Sequence, residues 1–289
     1  MEKIYKIQDS PLYKLRSRKK LLQQLNNISY CRILEISNNT NTFYRCFQIT
    51  NEKGKARDVA ECLGELGFIQ KRLQAMLRRV EMPYYLFSKR LSSAKANAEF
   101  HKNNPYVFTI DLKDFFPHCT LDRLASSLCF HFHQAGDISH LIASLLTLNG
   151  VVPQGSTTSS IAAFIANKSM FDEILELCKE QGVLFSVFVD DLTISSNERI
   201  DTSVRDKIIG IIRKNEMPIN YKKIKYFKKS HHKHITGSAV FDGQVKVENK
   251  KLKKFFKMMI PNESNLKKIT GMYRYLKSYD QSFKIVKYE

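Results

Sequence analysis

The chain has 289 residues, 43% of them hydrophobic and 26% charged, enough to bury a sizeable core and unlike a disordered or low-complexity protein. Forty-seven Lys and Arg against 28 Asp and Glu give a formal charge of +19, and 13 of those excess charges fall in residues 221–289, where 18 basic residues meet five acidic ones. That imbalance implies a polyanionic partner, nucleic acid ahead of a membrane: the longest apolar stretch, Ile138–Val152, is interrupted by His140, Ser144, Thr147 and Asn149 and is too short to span a bilayer, and Met1–Lys6 lacks the apolar run of a signal peptide.

In chain order, Ser10-Pro11 predicts a helix start and the leucines at 12, 15, 21, 22 and 25 a helix over 12–25. Thr42–Thr50 is rich in β-formers and predicts a strand, turned by residues 51–55 and returning over 56–60. Apolar spacing predicts a helix over 67–80, stopped by Pro83. Val107–Asp111 reads as a short buried strand, followed by helices over 120–132 and 137–148. One long apolar helix over 161–178 precedes a hairpin over 184–196 and a helix over 201–215. Gly237 and Gly243 punctuate two short strands, and basic helices close the chain at 249–259 and 264–278. This order predicts an α+β layer, with the acidic residues on one antiparallel sheet backed by helices. Six cysteines without CxxC spacing read as reduced packing residues of a cytosolic protein. No zinc pattern involves the histidines, and His231-His232-Lys233-His234 reads as a solvated basic loop.

Three aspartates stand out. Asp190 and Asp191 are adjacent at the tip of the predicted hairpin, in Phe188-Val189-Asp190-Asp191, and Asp111 ends the strand some 80 residues earlier. Adjacent carboxylates repel, and their burial calls for a compensating cation. Two divalent ions about 3.5–4 Å apart, clamping an in-line phosphoryl displacement, would supply it. A solvated Asp-Asp turn is the competing explanation. Five residues past Asp111, Phe116 could stack under a bound sugar, while one of Phe115 and Phe116 is expected to fill the core. Val152-Pro153-Gln154-Gly155 places a rigid turn and a glycine before a helix, where backbone can lie close to a nucleotide or template base.

Together these segments resemble the catalytic palm of reverse transcriptases. Asp111 matches the first-motif aspartate, Gln154 and Gly155 follow about 40 residues later, and the Asp-Asp hairpin lies about 35 beyond. Asn97-Ala98-Glu99-Phe100-His101 resembles the NAxxH element of bacterial retron reverse transcriptases, Ile235-Thr236-Gly237 a glycine turn after the palm, and Thr270–Leu276 the short thumb helix of the same group. The likeness runs from about residue 10 to the end. Two departures are plain. An aromatic-Ala-Asp-Asp is usual where Phe188-Val189 stands here, and Ser156–Ser160 lack the prolines common after Gly155.

The resemblance implies a right-hand polymerase: an N-terminal helix and fingers over 1–105, an antiparallel-sheet palm over 106–240 that includes residual fingers helices in 120–180, and a short basic helical thumb over 241–289. It implies Asp111, Asp190 and Asp191 as catalytic ligands of two Mg²⁺, or Mn²⁺ in vitro. Lys55, Arg57, Phe116, Gln154 and Lys223 would bind the dNTP, with Phe116 as the gate against a 2′-hydroxyl and Lys223 as proton donor or charge stabiliser, or else an exposed salt-bridge lysine. Phe188, Val189, Gly155, Asn97, His101, Gly237, Tyr273 and Arg274 would contact primer and template. The implied partners are a structured non-coding RNA that serves as template and primer, its DNA product, dNTPs and a separate effector protein. The implied setting is antiphage defence in the bacterial cytoplasm, with no membrane partner and no room for an RNase H or integrase segment. Three alternatives stay open: a defence-associated or abortive-infection reverse transcriptase with protein-primed, repetitive or untemplated synthesis, an RNA-dependent RNA polymerase, and a non-catalytic RNA-binding module on a palm scaffold.

Overall fold

The computed structural model describes residues 4–50, 54, 56–258 and 266–281. Two short helices, α1 (Arg18–Gln24) and α2 (Tyr30–Asn38), open the chain, each capped by a serine hydroxyl that accepts from a backbone N–H, Ser17 from Lys20 and Ser29 from Arg32. The predicted helix start at Ser10-Pro11 is instead a turn. Lys14 takes a left-handed φ of 50°, which a continuous helix cannot contain, so helix begins only after Ser17. Strands β1 (Tyr44–Thr50) and β2 (Ala56–Cys62) form a two-stranded hairpin, and α3 (Gly64–Leu77) follows.

The centre is a four-stranded antiparallel sheet of β3 (Tyr106–Asp111), β4 (Leu184–Phe188), β5 (Asp191–Ser196) and β6 (Lys225–Phe227), in spatial order β4-β5-β3-β6. Alternation divides it. Phe108, Ile110, Phe185, Val187, Leu192 and Ile194 point to one face and are buried in the main core. That core is built with α5 (Leu121–Phe132), α6 (Gly136–Leu146), α7 (Ser159–Ala166), α8 (Lys168–Glu180) and α9 (Thr202–Lys214). By the same registers, Val107, Thr109, Asp111, Ser186, Asp191, Thr193 and Ser195 share the opposite face. Helix α4 (Ala94–His101), which sequence patterning does not announce, lies against the lower part of that face. The outer edge of β4 is covered by residues 85–87, paired parallel to it through Val187.

The long helix expected over 161–178 is two. The break falls at Asn167, whose amide nitrogen donates to the Ala163 carbonyl at 2.9 Å and whose amide oxygen accepts from Arg123 at 2.9 Å, side-chain bonds that compete with the helical ladder. After α9, β7 (Lys233–Ile235), β8 (Ser238–Phe241) and β9 (Gln244–Val247) make a separate three-stranded sheet. Two basic helices follow: α11 (Leu266–Tyr279) packs on β9 and against α10 (Asn249–Met258). His231-His232-Lys233-His234 is therefore no loop throughout: Lys233 is buried in β7 and His234 pairs with Glu248 at 3.2 Å. The expected boundary at 240/241 cuts through β8, and the C-terminal lobe begins with β7. Of the cysteines, Cys119 and Cys178 are buried packing residues, whereas Cys31, Cys46 and Cys129 are exposed. Among the described residues no helix is long and apolar enough to cross a membrane.

Candidate active site

β3 delivers Asp111 to its C-terminal end, directly opposite Asp191 at the start of β5. Phe188 pairs with Asp191, leaving a two-residue loop of Val189 and Asp190. Only the first loop residue has positive φ, Val189 at 60°, the pattern of a type II′ turn, where glycine is the usual occupant. A β-branched residue in that region costs about 1–3 kcal/mol and persists only where the surroundings impose it. Here the Asp190 carbonyl accepts from the Leu112 N–H at 2.9 Å, tying the turn to the end of β3, and Val189 packs against the core. Asp111, Asp190 and Asp191 thus meet where the sheet face opens.

Burial and neighbouring carboxylates raise two of the three. Burial, then the carboxylates of Asp190 and Asp111, push Asp191 up to about 7, against Lys223 and Lys225. Burial and then the Asp111 charge also raise Asp190, opposed by a backbone hydrogen bond, Lys223 and Arg57. Lys223 sits on Asp111 itself, its ammonium 2.8 and 3.0 Å from the two carboxylate oxygens. Among the described residues no three Asp, Glu, His or Cys side chains are closed around a common point. In this arrangement the nearest compensating cation is that lysine. The donor set is all oxygen and repels itself, which suits a hard divalent ion.

Arg57, near the start of β2, is exposed on the hairpin and close enough to lower the Asp190 pKa, whereas its expected partner Lys55 lies outside the described residues. Phe115 is buried and fills the core, leaving Phe116 half-buried with its ring edge-on to Phe115 at 5.7 Å. Gly155 has φ +108°, and a Cβ there would stand 2.3 Å from Val59 Cγ1. The close approach expected at this glycine is therefore made by β2 of the same chain, since the Ala60 N–H donates to the Gln154 carbonyl at 2.8 Å. The hydroxyls that replace the expected prolines have work in the same loop. Ser156 donates to the buried Gln70 amide oxygen at 2.5 Å, and Ser159 donates to the Pro153 carbonyl.

Asn97 and His101 do not reach a primer or template, because both are fully buried. Successive turns of α4 aim them at the sheet. The His101 ring contacts Ser195 through Nδ1 and Ser186 through Nε2, both at 2.7 Å, and Asn97 Oδ1 accepts from Ser186 at 2.6 Å. Burial pushes His101 down to about 3, so the ring is neutral at physiological pH. Gly237, with Thr236, closes the β7–β8 hairpin, and its carbonyl accepts from Lys251 of α10 at 2.9 Å. Its positive φ of 76° serves that turn, and a lysine occupies the space beside it. Tyr273 is half-buried, lying near-parallel to Phe255 at 6.4 Å under Lys277, while Arg274 is exposed on α11. Sequence reasoning missed Ser186, Ser195, Asn104 and Gln70. The available signal was Ser186, a serine at an inward position in the otherwise apolar β4. A cavity of about 1260 Å³ lined by Lys102, Lys225, His234, Lys246 and Glu248 opens between α4, β9 and α11, and none of the three aspartates lines it.

Residues 63–240 match the family model described as reverse transcriptase (RNA-dependent DNA polymerase). The chain is 29% identical over 218 residues to the Retron Se72 reverse transcriptase of Salmonella heidelberg (strain 579083-10), covering 71% of this chain and 56% of that protein. It is 32% identical over 158 residues to the Retron Ec83 reverse transcriptase of Escherichia coli, 49% of each chain. To the Retron Ec86 reverse transcriptase of Escherichia coli it is 25% identical over 207 residues, 68% of this chain and 63% of that one. The chain thus spans between 49% and 63% of the length of these curated relatives. Among solved structures, a foamy viral protease-reverse transcriptase with double-stranded DNA is similar over 80% of this chain and 35% of its own, at 15% identity and a TM-score of 0.46.

Proposed function

This chain belongs to the reverse transcriptase family, and from that membership we propose that it is an RNA-directed DNA polymerase of the retron type. The observation that carries the reading is the meeting of Asp111, Asp190 and Asp191 at one end of one sheet face, with Lys223 and Arg57 beside them. The retron relatives supply the subtype. Asp111 and Asp190, with Asp191 as the third carboxylate, would hold two Mg²⁺ or Mn²⁺. Bound there, the ions would acidify a primer hydroxyl and neutralise charge on the triphosphate.

The chain's own residues would do the rest. Arg57 and Lys55 would hold the triphosphate from the β1–β2 hairpin, the fingers of this reading. Phe116 would stand against a ribose 2′-hydroxyl, favouring dNTP over NTP, and Gln154 would line the nucleotide site. Lys223 would exchange its contact with Asp111 for the leaving pyrophosphate, as charge stabiliser or proton donor. Phe188 and Val189 would bear on the primer end. The four-stranded sheet would be the palm, and the lobe from β7 onward the thumb, carrying Tyr273 and Arg274 along the backbone of an RNA–DNA hybrid. The template would be a structured RNA that also primes, and the setting antiphage defence in the bacterial cytoplasm with a separate effector.

Purified protein given a structured template RNA, Mg²⁺ and dNTPs should make DNA, and Asp190→Ala with Asp191→Ala should abolish it. Undiminished synthesis in the double variant overturns the assignment. A 2′–5′ branched RNA–DNA joint at the product's 5′ end supports the retron subtype, whereas a protein-linked end moves the chain to the abortive-infection relatives.

A further inference from the structure

The face of the sheet that carries the aspartates also carries, at its lower end, a buried run of polar side chains whose hydrogen bonds have a single consistent direction. The Thr236 hydroxyl donates to the Ala94 carbonyl at 2.9 Å, so it accepts from the Asn97 amide nitrogen at 3.5 Å. Asn97 Oδ1 accepts from the Ser186 hydroxyl at 2.6 Å. With its proton committed, Ser186 can only accept from His101, which makes His101 the Nε2–H tautomer, at 2.7 Å. Nδ1 is then an acceptor and takes the Ser195 proton at 2.7 Å, while Ser195 accepts from the Asn104 amide at 2.6 Å. The order is Asn104 to Ser195 to His101 to Ser186 to Asn97 to Thr236 to Ala94, and each side chain between the two ends accepts one of these bonds and donates the next.

Its placement matters more than its completeness. Ser186 lies four residues before Asp190 on β4, and Ser195 lies four after Asp191 on β5. His101 therefore spans the two strands of the hairpin whose turn holds the aspartates. A one-residue slip of either strand would turn its serine to the other face and leave the imidazole and Asn97 buried without partners. The far end of α4 holds the C-terminal lobe. Thr236 sits in the β7–β8 turn, and Lys95 donates to the Ser278 carbonyl at 2.5 Å and lies 5.4 Å over the Tyr279 ring of α11. Beyond Thr236, the Gly237 carbonyl accepts from Lys251, which also donates to the Tyr275 hydroxyl at 2.7 Å.

We propose that His101 and Asn97 are positioning residues: they lock the β4–β5 hairpin in register so that Asp190 and Asp191 face Asp111, and through Thr236 they tie that register to the C-terminal basic lobe. The proposal rests on the polymerase reading for its kinetic consequence and on geometry alone for its structural one. A network serving packing only would lower stability without a selective effect on turnover, and would not carry a change at Thr236 into the hairpin.

Two substitutions test it in the full chain. Ser186→Ala removes the atom shared by His101 and Asn97, and Thr236→Val removes one hydroxyl on the far side of α4 while keeping the side chain's shape. On a primed RNA template, Ser186→Ala should lower kcat about tenfold with KM for dNTP within about twofold, since small misplacement of reacting groups costs rate rather than binding. The Mg²⁺ needed for half-maximal rate should rise. Amide hydrogen exchange without substrate should show faster exchange across residues 184–196 in both variants. The kcat losses of the double variant should be smaller than the product of the single ones. Unchanged kcat in Ser186→Ala, or exchange in Thr236→Val altered only within residues 233–241, overturns the proposal even if the wild-type protein is an active polymerase. A wild-type protein that makes no DNA removes the kinetic half together with the polymerase reading. Unchanged exchange in residues 184–196 then removes the other half.

Discussion

The surroundings of Asp191 raise its carboxyl well above the usual carboxylate range. Its carboxyl is pushed up to about 7 from an ordinary 3.8, first by burial and then by Asp190 and Asp111. Between those values the folded protein holds a proton that the unfolded chain has lost, so this group's contribution falls as pH rises from about 4 to 7. Asp191→Asn should therefore melt higher than wild type above pH 7 in chelator, by several degrees, and the two should converge below pH 4. A differential thermal scan at the two pH values checks the sign. Added Mg²⁺ should stabilise wild type more than the variant, which keeps only Asp111 and Asp190 to bind it. An equal melting shift at pH 4 and pH 8 would show that the effect is not electrostatic.

At the level of elements, chemistry was more legible than connection. The β3 strand and the β4–β5 hairpin could be read because runs of β-forming residues end at aspartates. Helix α4 could not. Its inward residues include an asparagine and a histidine, so no apolar stripe marks it, and its partners are serines some 90 positions away. The break at Asn167 was hidden for a related reason: helix-compatible spacing continues across it, and only the side chain's bonds to Ala163 and Arg123 reveal the interruption. At Gly155 the sequence points to a nucleotide or template base lying close, and the group that lies close in the structure is β2. Gly155→Ala should cost about 1–3 kcal/mol, from both the positive φ and the Val59 contact, and should loosen the β1–β2 hairpin from the sheet. Denaturant unfolding and exchange rates across residues 56–62 measure the two effects. Unaltered stability would mean that the hairpin moves aside freely.

Across the whole molecule the main core and the basic lobe are built differently. One apolar cluster runs from Leu12 to Ile219, whereas the lobe after it rests on a cluster of Ala98, Val107, Ile235 and Val240. Polar ties supplement this small core: Lys251 to Tyr275 at 2.7 Å, Tyr275 to Tyr279 at 3.1 Å, and Tyr279 to Ser238 at 2.7 Å. Such a lobe can devote its surface to charge. RNA binding should weaken steeply with salt, and Lys253→Gln with Lys257→Gln should reduce the slope of log affinity against log salt by about 2. Filter binding across a salt series reads this directly, and Asp190→Ala with Asp191→Ala should leave the slope in place. A slope unaffected by the two lysines would shift the binding surface away from α10.

The ammonium of Lys223 on Asp111 has a thermodynamic corollary for that whole surface. Loading a divalent ion at Asp111 is a substitution reaction, in which one tethered monovalent cation leaves as a free divalent one arrives. The charge in direct contact with Asp111 then rises by about one rather than two, and the displaced lysine is set free beside the same site. A calorimetric titration would record the difference between two ion pairs, so a weak apparent affinity there is compatible with strong intrinsic ligands.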